Sequence, residues 1–160
     1  MLYIESISLL AKMLLKSIST ASAKIEGKGI SGRVNFYELG DKTMVTADIS
    51  GLPKGEGCAC GVYGFHIHEG ESCGGESFAD TKGHDNPKSC PHPCHAGDMP
   101  PLFGNDGTAW TAFMTDRFSA GEIIGKTVVI HSKPDDFTTQ PAGNSGEKIA
   151  CGVIKKTWQS

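Results

Sequence analysis

The sequence predicts a single all-β domain made of short strands and two long irregular loops. The 160 residues are enough for one domain with a sizeable core and too few for two. The chain contains 21 glycines and 8 prolines, a usage that suits many turns between short strands. After residue 20, apolar and polar residues alternate in short runs, which is the pattern of half-buried strands.

Individual strands can be predicted from these runs. Six of them are predicted over residues 34–37, 44–49, 62–68, 110–115, 127–131 and 148–154. Gly40 and Asp41 form a predicted turn between the first two. Residues 23–26 and the region around Ile30 are expected to form the first hairpin.

Two long stretches show neither strand nor helix periodicity. The first lies between His68 and Thr108 and is rich in Gly, Pro, Cys, Asp and His, and the second covers residues 132–147. Loops of this length in a compact domain are usually functional or disordered. Cross-links or bound metal ions would offset the entropy of ordering them, so we expect one or both here.

Residues 1–20 are predicted to be an N-terminal extension, and residues 21–160 the β domain. The polar residues of the extension recur at intervals of three, four and four, which indicates the polar stripe of an amphipathic helix: Glu5, Ser8, Lys12 and Lys16. The alternative is a secretory signal, because the segment is apolar and ends in Ala21-Ser22-Ala23.

The compartment stays open between the cytoplasm and the periplasm or extracellular space. The cytoplasm is favoured because Glu5 and Lys12 depart from the usual signal-peptide pattern. A net charge of -3 and a pI of about 6.0 give no electrostatic reason to expect nucleic acid as a partner. No apolar run is long enough to span a bilayer.

Histidines and one aspartate suggest a metal centre. His66 and His68 alternate on a predicted strand, so their imidazoles should project together. Alone, the pair could be two solvent-facing residues on an edge strand. The other four histidines and an aspartate lie in the first loop or at a strand end: His84, His92, His95, Asp98 and His131. Imidazole suits copper and zinc, and seven ligands suffice for two sites that share one residue.

Five segments resemble those of the copper/zinc superoxide dismutases, of the bacterial type. They are GFHIHEG (64–70), HDNP (84–87), HAGD (95–98), GNSG (143–146) and IACGVI (149–154). Their order and approximate spacing match across residues 21–156. The resemblance implies a Greek-key β-sandwich or flattened barrel of about eight antiparallel strands. It also implies an oxidoreductase that converts superoxide to dioxygen and hydrogen peroxide by copper redox cycling, with zinc as a structural and tuning ion.

The resemblance also implies a role for individual residues. Copper would be bound by His66, His68, His84 and His131, and zinc by His84, His92, His95 and Asp98. His84 would bridge the two metals and donate a proton. Asp135 would link a copper-site histidine to a zinc-site histidine, the alternative being an ordinary turn aspartate.

Two positions depart from the family pattern. Lys148 stands where the family has an arginine that attracts the anion, and Ala142 stands where it has a threonine. Lysine keeps the positive charge but loses the planar fork of donors. The loop between His68 and Cys73 is also short, and in eukaryotic members that loop contributes to the dimer contact. The oligomeric state therefore stays open, with a homodimer as one expectation.

The six cysteines fall into two groups. Cys73 and Cys151 match the disulfide of the family, which would tie the first long loop to the last strand. The other four are outside the usual pattern: Cys58, Cys60, Cys90 and Cys94. They could bridge the zinc loop to the strand that carries His66, remain free thiols, or form a second soft-metal site. We expect at least one bridge between the two pairs.

Two competing functions remain from the sequence. One is a copper-binding domain that stores or delivers the metal without turnover, although such a carrier needs only one exchangeable site. The other is a metal-stabilised sandwich with no reaction, which a solvent-inaccessible copper would favour.

Overall fold

The computed structural model describes residues 19–55, 57 and 61–157. Nine strands and one short 3₁₀ segment, Glu76–Thr81, form the regular structure of these residues. The strands are β1 (Ala21–Gly27), β2 (Ser31–Leu39), β3 (Lys42–Ser50), β4 (Gly61–Tyr63), β5 (Phe65–His68), β6 (Leu102–Gly104), β7 (Thr108–Thr115), β8 (Thr127–His131) and β9 (Lys148–Lys156). The prediction of an all-β fold is therefore confirmed.

Seven strands form one antiparallel curled sheet in the order β5-β8-β9-β1-β2-β3-β7. A second sheet pairs β4 with β6. The tight turn between β6 and β7 connects the two sheets, and in it Asn105 and Thr108 exchange backbone hydrogen bonds of 2.6 and 3.0 Å. Because β4 runs into β5 after one residue, the two sheets close around a single core, as a flattened barrel requires.

The predicted first hairpin is confirmed, because β1 pairs with β2 from Ala21↔Phe36 to Glu26↔Ser31. The prediction of a single strand over residues 62–68 is wrong. It divides at Gly64 into β4, which pairs with β6, and β5, which pairs with β8. Apolar residues stand on both sides of Gly64, at Tyr63 and Phe65. The local sequence therefore does not indicate that the chain changes its partner strand at this point.

The core lies between the sheets and consists of inward-facing apolar residues from both of them and from the segments that connect their strands. The largest fully buried members are Phe36, Phe65, Ile25, Ile49, Ile67, Leu102, Ile123, Ile130 and Ile154. Phe65 and Ile67 of β5 belong to this cluster. His66 and His68 point to the opposite face of β5 and are also buried, because the two long loops cover that face.

The loops that cover the histidines follow β5 and β8. The first contains the 3₁₀ segment and is joined to β9 by the Cys73–Cys151 disulfide. Short β6 lies within the stretch that was predicted to be irregular. The N-terminal extension, except Ser19 and Thr20, lies outside the described residues. Within the described part of the chain, no helix combines the length and apolarity needed to cross a bilayer.

Candidate metal centre

The first loop is fastened directly onto the edge of β5. Ile67 donates to the carbonyl of Gly97 at 2.9 Å, Asp85 donates to the carbonyl of Ile67 at 2.8 Å, and Gly97 donates to Asp85 at 2.9 Å. A Cβ on Gly97 would lie 2.1 Å from the Ile67 carbonyl oxygen, so only glycine allows this approach. These bonds bring the loop histidines over His66 and His68.

The seven predicted ligands converge in two groups that share one residue. His66, His68, His84 and His131 form the first, and His84, His92, His95 and Asp98 form the second. Within each group the candidate ligand atoms lie within 4.8 Å of one another. The histidines are buried and Asp98 is half-buried. The shared residue is His84, as the resemblance implied.

Three buried ring nitrogens have no hydrogen-bond partner in the described part of the chain. They are Nδ1 of His66, Nε2 of His84 and Nδ1 of His92. Nδ1 of His92 lies 3.1 Å from Oδ2 of Asp98, yet the two atoms do not form a hydrogen bond. Buried polar atoms left unpaired cost about 1–3 kcal/mol each. Each of these atoms belongs to one of the two ligand groups, where a bound cation would satisfy its lone pair, so the residues present fit copper and zinc.

His68 and His131 each have one ring nitrogen bonded to a backbone carbonyl oxygen. His68 Nδ1 donates to the Lys82 carbonyl at 2.9 Å, and His131 Nδ1 donates to the Gly146 carbonyl at 3.3 Å. His84 differs, because its Nδ1 lies 2.8 Å from Oδ1 of Asp98 within the second group. A fixed donor nitrogen sets the tautomer of an imidazole, so the Nε2 atoms of His68 and His131 are left to bind a metal.

Asp135 connects the two groups. Its Oδ2 accepts from His66 Nε2 at 2.7 Å and its Oδ1 accepts from His92 Nε2 at 2.9 Å. Gly143, with φ of +65°, lies against this carboxylate, and a Cβ there would be 2.0 Å from Oδ1. A side chain at this position would displace the link between the groups.

Burial sets the protonation of the site. It lowers the pKa of His68 to about 2 and that of His131 to about 3, and it also lowers the pKa of His66. Burial alone would raise the pKa of Asp135, but hydrogen bonds from His66, His92 and the Phe137 amide outweigh it and lower the pKa. His66, His68 and His131 are therefore neutral imidazoles, the form that binds a metal, and Asp135 is an ionised carboxylate, the form that accepts hydrogen bonds from imidazoles.

Lys148 lies beside the first group. Its Nζ donates to Thr81 Oγ1 at 2.7 Å and to the Lys82 carbonyl at 2.9 Å, the same carbonyl that accepts from His68. Partial burial lowers the pKa of Lys148. Ala142 lies in the second loop, where its carbonyl accepts from Ser145 Oγ at 3.0 Å.

The disulfide predicted between Cys73 and Cys151 is confirmed, with a Cα–Cα distance of 5.8 Å. Cys90 is half-buried and Cys94 is exposed, and both are free thiols within the described residues. Cys58 and Cys60 lie outside the described residues. A bridge between the two pairs therefore stays a prediction.

Three contacts around the loop were not found from the sequence. Lys126 Nζ bonds both carboxylate oxygens of Asp85 at 2.7 Å, which anchors the residue after His84. Arg117 and Gln140 bond the backbone around His92. Lys126, Arg117 and Gln140 belong to no sequence motif, and each is brought to its partner only by the fold.

Two β-sheets around one core, with two histidine groups that share an imidazole, are the arrangement of a protein that could hold a pair of metal ions. The family model described as copper/zinc superoxide dismutase (SODC) matches residues 30–154. "Superoxide dismutase [Cu-Zn] 2" of Aquifex aeolicus is 35% identical over 145 residues, covering 81% of each chain. "Superoxide dismutase [Cu-Zn]" of Deinococcus radiodurans is 31% identical, covering 79% of this chain and 78% of its own.

A solved structure shows the same fold. The crystal structure of the clock protein EA4 is 29% identical and superposes with a TM-score of 0.75, over 88% of this chain and 96% of that one. The chain belongs to the copper/zinc superoxide dismutase family. It is an oxidoreductase of the kind that converts superoxide to dioxygen and hydrogen peroxide with copper and zinc as cofactors.

Proposed function

We propose that copper is bound by His66, His68, His84 and His131, and that zinc is bound by His84, His92, His95 and Asp98. The observation that carries this assignment is the pair of ligand groups with His84 in common. The partnerless nitrogens of His66, His84 and His92 support it, because a cation is what such buried lone pairs lack. Bound copper supplies one-electron chemistry that moves an electron from one superoxide to another.

The residues of the chain supply position and charge for that reaction. Asp135 bonds the rings of His66 and His92 at the same time, so it holds the two ligand groups at a fixed distance and orientation relative to each other. When its Nε2 is not bound to copper, His84 could carry a proton there for the substrate, because its Nδ1 stays with the second group. Lys148 supplies positive charge beside His68 and attracts the anionic substrate.

An activity assay distinguishes this function from the two alternatives. The decay of superoxide should be fast with protein loaded with both metals and should return to the uncatalysed rate after the metals are removed. Elemental analysis of the loaded protein should find one copper and one zinc per chain. Loaded protein that exchanges copper but leaves superoxide decay unchanged would be a copper carrier. Retention of copper with neither exchange nor turnover would indicate a structural role.

The charge of residue 148 should control the encounter with substrate. Lys148→Glu should lower kcat/KM by at least about 10-fold, since electrostatic attraction can raise association rates by about 10- to 1,000-fold. Lys148→Arg should keep or raise the rate, and added salt should lower it, because exposed charges are screened beyond about 10 Å at 0.1 M. Kinetics at several ionic strengths measure this. A glutamate variant as fast as the parent would assign the attraction to other residues.

We also propose a homodimer. Exposed apolar side chains lie on adjacent β6 and β7, where Phe103 is 64%, Trp110 55% and Met114 50% exposed. Large apolar side chains that are exposed on consecutive strands suit contact with a second copy. Sedimentation velocity should give twice the mass of one chain, and a monomer at all concentrations would contradict the proposal.

A further inference from the structure

The backbone around His92 is held by a side-chain amide from the second loop. His92 donates its backbone N–H to Oε1 of Gln140 at 2.9 Å, and Nε2 of Gln140 donates to the His92 carbonyl at 2.7 Å. The side-chain amide of Gln140 thus forms hydrogen bonds with both the N–H and the carbonyl of His92, as the backbone of a neighbouring strand would. The second loop therefore holds His92 twice, through its backbone by Gln140 and through its ring by Asp135.

A second side chain holds the next part of the segment from the opposite direction. Arg117 follows the end of β7, and its Nη1 donates to the Pro93 carbonyl at 2.7 Å and to the His95 carbonyl at 3.2 Å. The two carbonyls belong to residues on either side of Cys94. A guanidinium presents several donors in a fixed plane, so one nitrogen can bond both oxygens.

Together these contacts satisfy the backbone of residues 92–95. Cys94 donates to the Pro91 carbonyl at 2.8 Å and His95 donates to Asp98 Oδ2 at 3.0 Å, while proline has no N–H. Every N–H of the segment, and the carbonyls of His92, Pro93 and His95, are bonded. A segment outside any sheet has few ways to satisfy these groups. Here two distant side chains provide most of the bonds.

We propose that Gln140 and Arg117 are positioning residues of the zinc site, which hold the backbone of residues 92–95 and thereby slow the release of zinc. The inference rests on the proposed assignment of His92 and His95 as zinc ligands. Neither side chain reaches a ligand nitrogen, so their effect passes through the backbone that carries both imidazoles. Residues that orient metal ligands in this way typically contribute about 10- to 100-fold to metal affinity.

The test is the rate at which fully loaded protein transfers zinc to a chromogenic chelator. Gln140→Ala and Arg117→Gln should each release zinc about 10- to 100-fold faster than the parent. Arg33→Gln, at the other arginine of the chain, and Thr138→Ala, in the same loop as Gln140, are matched controls and should release zinc at the parent rate. Arg117→Lys should recover part of the loss, because an ammonium can still donate to a carbonyl.

Copper release, followed in parallel, separates positioning from general weakening. It should stay near the parent rate in both variants, because the contacts of Gln140 and Arg117 reach only the second ligand group. Zinc release at the parent rate, or zinc and copper release accelerated equally, would overturn the inference. A separate variant tests its premise: if His92→Ala retains zinc as the parent does, the ligand assignment fails. If His92→Ala loses zinc while Gln140→Ala and Arg117→Gln retain it, only the positioning role fails.

Discussion

Replacement of His84 by alanine should disrupt both metal sites at once. His84 is the member common to the two ligand groups, so its removal leaves each group with three ligands. Zinc affinity should fall by more than about 100-fold, since loss of even an indirect contact to a ligand costs about 10- to 100-fold. Dismutation of superoxide should fall close to the rate of metal-free protein. Elemental analysis after dialysis and a superoxide decay assay measure the two losses.

The control for this result is His92→Ala, which belongs to the second group alone. This variant should lose zinc and keep copper. In the parent, removal of zinc should change the copper absorption spectrum, because the shared imidazole can then take up a proton. In His84→Ala that spectral response to zinc should be absent. Parent-like zinc and copper contents in His84→Ala would exclude a shared ligand.

Loss of the Cys73–Cys151 disulfide should have the largest effect on stability. The cross-link joins residues separated by 78 positions, and loss of a native disulfide typically costs about 2–5 kcal/mol. Cys73→Ser should lower the free energy of unfolding by that amount in urea titrations. Metal retention should weaken too, because the released segment precedes Thr81 and Lys82, whose oxygens bond Lys148 and His68.

Glu71→Gln is the matched comparison, because it changes an exposed side chain two residues before Cys73 and leaves every cysteine in place. It should leave the free energy of unfolding within about 0.5 kcal/mol of the parent, as exposed substitutions usually do. Cys151→Ser should match Cys73→Ser, since either change breaks the same bond. Equal stability of Cys73→Ser and Glu71→Gln would show that the cross-link contributes little.

The strands that alternate regularly could be predicted from the sequence, whereas the joins between the sheets could not. The predicted runs at 34–37 and 44–49 lie within β2 and β3. They could be predicted because the core side of a strand requires apolar residues and the solvent side allows polar ones. β6 has three residues, too few for any period to appear. At Gly64 the change from one partner strand to another depends on residues far along the chain, and local pattern carries no record of it.

In the metal centre, the ligand residues could be predicted from the sequence and the contacts that support them could not. His66 and His68 could be recognised because their spacing matches the period of a strand, and the loop histidines because so many ligand-type side chains gather in an aperiodic segment. The supporting contacts could not be recognised. Gln140 and Arg117 bond backbone atoms, which every residue possesses, so neither partner has a distinctive sequence. The pairing of Lys126 with Asp85 likewise depends on the folded path of the loop.

The bond between Cys73 and Cys151 also makes a closed covalent circle of most of the site. Seven of the functional residues lie on this circle: His84, His92, His95, Asp98, His131, Asp135 and Lys148. His66 and His68 lie on the linear part just before it. A protease that cuts once within the circle therefore opens it without detaching any piece. After a single cut in the loop that follows Cys73, or in the one that follows β8, all the proposed ligands would still belong to one covalently connected molecule.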